Sequence, residues 1–337
     1  MGRASLNREL SFLDLSGFLF SGKHAVIELV REFEGYQVPH FEFEFCLIRV
    51  QDGIMDLDNA INGDWSPIRC PAAFRRFERL VRILGRKPTR FKLGYDYDGQ
   101  FKGQFSCLAQ KYMAGLVDLE WDAFWPFAWN DYSGWELFSN KVRQKLGLRG
   151  AFESKLYLAS GEDFLFKTQS FLEKLFSSIA SEDTRAFVLH NAIEPFNPAK
   201  GLGYFKHAKS IIVDRDPRDN YVASVTHSAR YRKITAAHSV ESFIKRYRLL
   251  RKKSSVAAVA DDRVLRLRYE DLIFAYEATI QRILHFLGEK PSIHIRKKTH
   301  FKPEESSRFV GIFKQFERQS EIERIGRELP EYCYPGL

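Results

Sequence analysis

Lys23 and His24 follow a glycine in the stretch SGFLFSGKHAV, Ser16 to Val26. The spacing is GxxxxGK, the pattern of a loop whose backbone N–H groups and lysine ammonium meet a phosphate. In a nucleotide-binding loop of this kind the next residue is Ser or Thr, because its hydroxyl coordinates magnesium. Here that position is an imidazole. Magnesium takes oxygen donors in near-octahedral geometry, so His24 disfavours a magnesium nucleoside triphosphate unless another group supplies the metal contact. On the loop alone, a chance GxxxxGK is the alternative reading.

A second basic cluster lies in IIVDRDPRDNYVAS, Ile211 to Ser224. The apolar run ends at Asp214 and Arg215; Asp216 suits a helix N-cap and Pro217 the first helical position. Arg215 and Arg218 therefore fall at another strand-to-helix junction. Two such junctions on one sheet edge imply a ligand with two separated phosphates. The competing reading is an ion-pair network among Asp214, Asp216, Asp219 and the arginines. In VLRLRYEDL, Val264 to Leu272, Tyr269 ends a strand, where it could stack on a base or serve as an interface aromatic.

These residues need a scaffold. The segments LDLSGFLF, HFEFEFCLI, RAFVLH, KSIIVD and RVLRLR have strand character and alternate with helical patterns, which predicts a mainly parallel α/β sheet. In the first, Phe18, Leu19 and Phe20 run into Ser21 and Gly22, and Ala25, Val26, Leu29, Val30 and Phe33 then share one helical face up to Gly35. A strand, a tight glycine turn and a helix start aim free N–H groups and the positive end of the helix dipole at an anion. Residues from about 63 to 182, with FRRFERLVRILG, WDAFWPFAW and SFLEKLFSSIA, read as a helical insertion within a single domain spanning 1–337. Trp121, Trp125 and Trp129, at four-residue spacing, are either core or the lining of an acceptor cleft; periodicity alone does not separate the two.

The 337 residues are 45% hydrophobic with a net charge of +9, as expected of a globular chain that meets anionic partners. No lysine or arginine tail appears, which argues against a basic nucleic-acid arm. The RKK clusters at 251–253 and 296–298 read as solvated faces. No apolar run approaches the roughly 18 residues of a membrane span, and the first residues lack the apolar stretch of a secretory signal, so a cytoplasmic protein is expected. Cys46, Cys70, Cys107 and Cys333 are far apart, suggesting reduced, mostly buried thiols and no zinc site.

Taken together, the three motifs resemble the sulfotransferase superfamily, which uses 3'-phosphoadenosine 5'-phosphosulfate (PAPS). SGFLFSGKHAV is similar to its 5'-phosphosulfate loop, IIVDRDPRDNYVAS to its 3'-phosphate motif, and LRYEDL with FLGEKPS to its third signature. The resemblance implies an α/β, three-layer P-loop-like fold with a central, mainly parallel sheet. It implies that Ser21, Gly22, Lys23, His24 and Ala25 hold the 5'-phosphosulfate without magnesium, that Arg215 and Ser224 meet the 3'-phosphate, and that Tyr269 lies near adenine. HFKPEESSRFVGIFKQF resembles the loop that closes over the cofactor, with Lys302, Ser306 and Arg308 as phosphate contacts. The sequence departs from the family twice: Phe20 stands where the loop lysine is common, and Ala223 stands eight residues after Arg215, where the serine is common.

Sulfuryl transfer needs alignment, charge stabilisation and a base for the acceptor proton. Lys23 or His24 could neutralise the departing phosphate. In HFEFEF, strand alternation puts His40, Glu42 and Glu44 on one face, and carboxylates among apolar residues are costly unless they meet a cleft. Ligands of open α/β sheets bind beyond the carboxyl ends of the strands, which favours Glu44 over Glu42 as base; several glycan-modifying members of the superfamily use a glutamate near this strand, and a charged edge strand is the alternative. The expected acceptor is a small molecule or a glycan bearing a hydroxyl or amine. The rival readings are a P-loop kinase or NTPase that tolerates His24, and a non-enzymatic phosphate- or nucleic-acid-binding module.

Overall fold

Among the described residues seven strands carry the architecture: β1 (Ser11–Gly17), β2 (Tyr36–Gln37), β3 (Leu119–Phe124), β4 (Glu153–Leu158), β5 (Ala186–His190), β6 (Ala208–Asp214) and β7 (Val264–Arg268). The computed structural model describes residues 10–39, 43–125, 127, 132–148, 153–256 and 261–337. The chain divides into two units, Met1–Cys46 with Ser181–Leu337, and Leu47–Ala180.

The first unit holds a five-stranded sheet in the order β2-β5-β1-β6-β7, every neighbouring pair parallel. Its inner strands are near-continuous apolar runs, as burial on both faces requires. Leu13, Leu15, Val188, Ile211 and Val213 sit in one core with Val26, Leu29 and Val30 of the helix Lys23–Val30 and Ile280, Ile283 and Leu284 of the helix Tyr276–Leu287. Each such side chain contributes about 2 kcal/mol by leaving water. β1 is central: the chain places β5 and β2 on one side of it and β6 and β7 on the other, so its carboxyl end is a topological switch point.

Among the described residues, one expected strand does not form. Phe43–Cys46 of HFEFEFCLI are not in a strand, and His40, Phe41 and Glu42 lie outside the described residues. The edge strand is instead the two residues of β2, paired Tyr36 to Ala186 and Gln37 to Phe187. Pro39 follows after Val38, and a residue without an N–H cannot extend a ladder. The alternation argument for Glu42 and Glu44 therefore loses its basis.

The second unit contains the helices Arg69–Gly85, Phe105–Leu116, Gly134–Lys145 and Phe164–Ser177, and it also contains the antiparallel pair β3 and β4. WDAFWPFAW thus begins as a strand and not as a helix. Trp125 is core, under the Arg75 guanidinium at 4.5 Å. Trp121 is partly exposed, and Trp129 lies outside the described residues. Most other aromatics here are packing residues; Tyr112, for one, stacks on Phe171 with centroids 4.8 Å apart.

No helix among the described residues is long and apolar enough to cross a membrane. All four cysteines are free, but only Cys70 is buried and Cys107 is exposed, so the expectation of mostly buried thiols does not hold.

Candidate active site at the carboxyl edge of the sheet

The first motif folds as a strand, a tight turn and a helix. Ser21 N–H donates to the Phe18 carbonyl at 2.9 Å, and Gly22, at φ +83°, swings the chain into the helix Lys23–Val30. That φ is left-handed and favours glycine. A Cβ at Gly22 would also enter the ring of Tyr269. No side chain caps the helix, so its first N–H groups have no partner within the helix. Ser21 is buried, and its hydroxyl has no hydrogen-bond partner among the described residues. Lys23 is buried as well, while His24 reaches solvent. Desolvation by its neighbours, followed by the Lys23 ammonium, lowers the His24 pKa, which keeps the imidazole neutral near pH 7. Ala25 closes the turn by donating to the Gly22 carbonyl at 3.0 Å.

The second motif lies beside the first because β1 and β6 are neighbours, with Gly17 opposite Val213. Asp216 caps the helix Pro217–His227, accepting from the Arg218 N–H at 2.8 Å. Arg215, 8% exposed, reaches across to the loop. Its guanidinium donates to the Phe20 carbonyl at 3.3 Å and to the Phe309 carbonyl, lies 3.9 Å from Asp219, and covers the Tyr269 ring at 5.3 Å. Its Nε is buried without a partner among the described residues. Asn220 donates to the Leu19 carbonyl at 2.8 Å, a second tie between the two junctions. Phe20 holds φ +62°, with its ring against His227 and Tyr231. Such a backbone costs of order 1–3 kcal/mol and persists only where the surroundings fix it.

The ion-pair reading of this motif describes Arg218, which is bidentate with Asp216 and stacked on Phe313. Ser224 is not turned toward the loop: it is fully buried, and its hydroxyl donates to the Asn220 carbonyl one turn back at 2.8 Å. Nor is Arg251 part of a solvated face. It is largely buried, bonded to Asp214 at 2.8 Å and laid over the Phe18 ring at 4.5 Å.

Tyr269 continues β7, its N–H donating to the Asp214 carbonyl at 2.8 Å. Its ring is buried between Gly22 and Arg215, and its hydroxyl donates to the Ser306 carbonyl at 3.0 Å. The segment HFKPEESSRFVGIFKQF is thus pinned at Ser306 and at Phe309. Further back, the buried Glu32 carboxylate accepts from the N–H groups of Lys298, His300 and Phe301 and pairs with His294 Nε2 at 2.7 Å. Arg308 is exposed over the Phe309 ring, and Lys302 is paired with Glu305.

Glu44 meets residues that sequence reasoning missed. Asn191 Nδ2 donates to Glu44 Oε1 at 2.6 Å, and His190 Nε2 lies 3.5 Å from the same oxygen. The His190 ring meets the His24 ring edge-on, with centroids 5.0 Å apart. His190 is the last residue of β5, and the signal was available: a histidine closing an apolar run at a strand's carboxyl end. Asp14, wholly buried in β1, fixes the turn that follows β5 by accepting from the Ala192 and Ile193 N–H groups, and also accepts from the Ser210 hydroxyl. Burial pushes the Asp14 carboxyl up to about 6.

A parallel α/β sheet with two anion-suited junctions on adjacent strands defines a P-loop-like class of protein. The comparisons narrow it. Residues 152–291 match the profile of the sulfotransferase family, a segment that includes His190, Arg215 and Tyr269. Among solved structures, the chain is similar to the sulfotransferase domain from the curacin biosynthetic pathway (12% identity, 97% of this chain and 100% of that one, TM-score 0.42). It is also similar to the sulfotransferase domain of the Synechococcus PCC 7002 olefin synthase (13%, 99% and 100%, 0.39). A third is retinol dehydratase in complex with androsterone and inactive cofactor PAP (15%, 84% and 88%, 0.35). No curated protein matches the chain in sequence.

Proposed function

We propose that the chain is a PAPS-dependent sulfotransferase that sulfates a hydroxyl or amine on a small molecule or glycan. The observation that carries this reading is the joining of the two phosphate-suited junctions by Arg215 and Asn220, which donate to successive carbonyls of the Gly22 loop. The partnerless Ser21 hydroxyl, the uncapped helix start and the buried Lys23 suit the 5' end of the nucleotide. Arg215 suits the 3'-phosphate, and Arg308 is a further candidate contact; Ser224 is the weakest member of the set because its hydroxyl is already bonded.

When bound, PAPS supplies a sulfuryl group whose bond to a phosphate oxygen breaks as a bond to the acceptor forms. Lys23 offsets the charge left on that oxygen. His190 takes the acceptor proton on its ring, and Glu44, held by Asn191, stabilises the protonated form. Glu44 itself and Glu42 are the other candidates for the base.

Calorimetry tests the cofactor: adenosine 3',5'-bisphosphate should bind tightly without magnesium. Magnesium-dependent ATP binding, or steeply salt-dependent DNA or RNA binding with no nucleotide affinity, would sink the reading. Radiolabelled PAPS with a panel of glycans, lipids and small alcohols then identifies the acceptor.

A further inference from the structure

The helix Gly134–Lys145 of the second unit is amphipathic in the wrong sense for a core helix. Its one buried residue is Asn140, with Leu137 half-buried beside it, whereas Trp135 is 75% exposed, Phe138 57%, Val142 41% and Leu146, at the C-cap, 68%. At 3.6 residues per turn these four fall within a stripe of about 80° on the side opposite Asn140. Single exposed apolar residues need no explanation, but a continuous stripe with a tryptophan in it does.

Charge indicates what covers the stripe. Lys141 and Lys145 flank it on one side and Arg143 on the other, all three exposed and none in an ion pair among the described residues. The helix's acid, Glu136, is engaged in a capping box with Ser133 at the helix start. A second copy of the chain would bring the same cations against these, and like charges repel. A negatively charged surface would not. Apolar side chains down, an aromatic at the boundary and lysine and arginine stems on both flanks are what a helix lying in a lipid interface presents.

We infer that this face docks the protein on an anionic bilayer surface, with the helix lying in the plane of the headgroups. The docking goes beyond the proposed catalytic reading and does not depend on it. The test is co-sedimentation of the purified full chain with vesicles of phosphatidylcholine alone and of phosphatidylcholine with phosphatidylglycerol, at low and high salt. The chain should partition to the mixed vesicles, less so at high salt. Trp135→Ala with Phe138→Ser should lower partitioning about tenfold or more, with circular dichroism unchanged. Lys141→Glu with Lys145→Glu should remove the preference for phosphatidylglycerol. Equal sedimentation with both vesicle types, or retention of binding in the Trp135 and Phe138 variant, overturns the inference. So does a wild-type dimer that fails to bind vesicles and becomes a monomer in that variant, because a second copy would then cover the face.

Discussion

His190 Nε2 stands 3.5 Å from Glu44 Oε1, and Asn191 holds that same oxygen at 2.6 Å. The carboxylate is thereby fixed by one neighbour while it faces the other, an arrangement that steadies an imidazole as it takes up a proton. His190→Asn should lower the turnover number by about 100-fold or more while leaving the affinity for adenosine 3',5'-bisphosphate unchanged. Glu44→Gln should lower it less and shift the acid limb of the pH–rate profile. If Glu44→Gln is the more damaging of the two, the carboxylate is the base.

Arg215 braces the loop at Phe20 and, in the proposed function, also meets the 3'-phosphate; its removal tests the second role. Arg215→Ala should weaken adenosine 3',5'-bisphosphate by about 10- to 100-fold, as the loss of charge-assisted bonds implies, and adenosine 5'-monophosphate far less. Calorimetry on both nucleotides checks this; equal loss would mean that Arg215 acts only by bracing Phe20 and Phe309.

Gly22 is held twice over, by its φ of +83° and by the Tyr269 ring. Gly22→Ala should cost at least about 1 kcal/mol of stability from the backbone alone, and more from displacing Tyr269. Nucleotide affinity should fall with it. The Tyr269→Ala background should restore part of the stability, read by thermal denaturation of the single and double variants.

Glu270 carries a pH dependence. It is fully buried; its Oε1 accepts from the Asp216 N–H at 2.8 Å, and its Oε2 has no partner among the described residues. Burial pushes its pKa from 4.5 up to about 7. The folded state therefore binds the proton more tightly than the unfolded one, and stability should fall as pH rises from 4.5 through about 7, then level off. Glu270→Gln should flatten most of that slope and raise stability above pH 7 by up to about 3 kcal/mol. Denaturant titrations across the range check it; the slope left over belongs to Asp14 and Asp219, whose pKa values burial also raises.

Local chemistry was legible wherever it is confined to a turn. The Gly22 loop and the Asp216 cap with Pro217 follow from residues within four positions of one another. The same local reading failed at HFEFEF, which follows Pro39, and at WDAFWPFAW, where a strand distant in sequence supplies the pairing. Neither outcome was visible in periodicity, because a strand exists only when another strand accepts its hydrogen bonds.

By itself, then, the sequence determined two phosphate-suited strand-to-helix junctions and the residues that build each. Only the tertiary structure decided that β1 and β6 are neighbours, that Arg215 spans from one junction to the other, and that Glu44 meets His190 and Asn191 from far along the chain. Turn and cap energetics act over a few residues, whereas the order of strands is set by how a doubly buried sheet covers its two apolar faces, and that is a property of the whole chain.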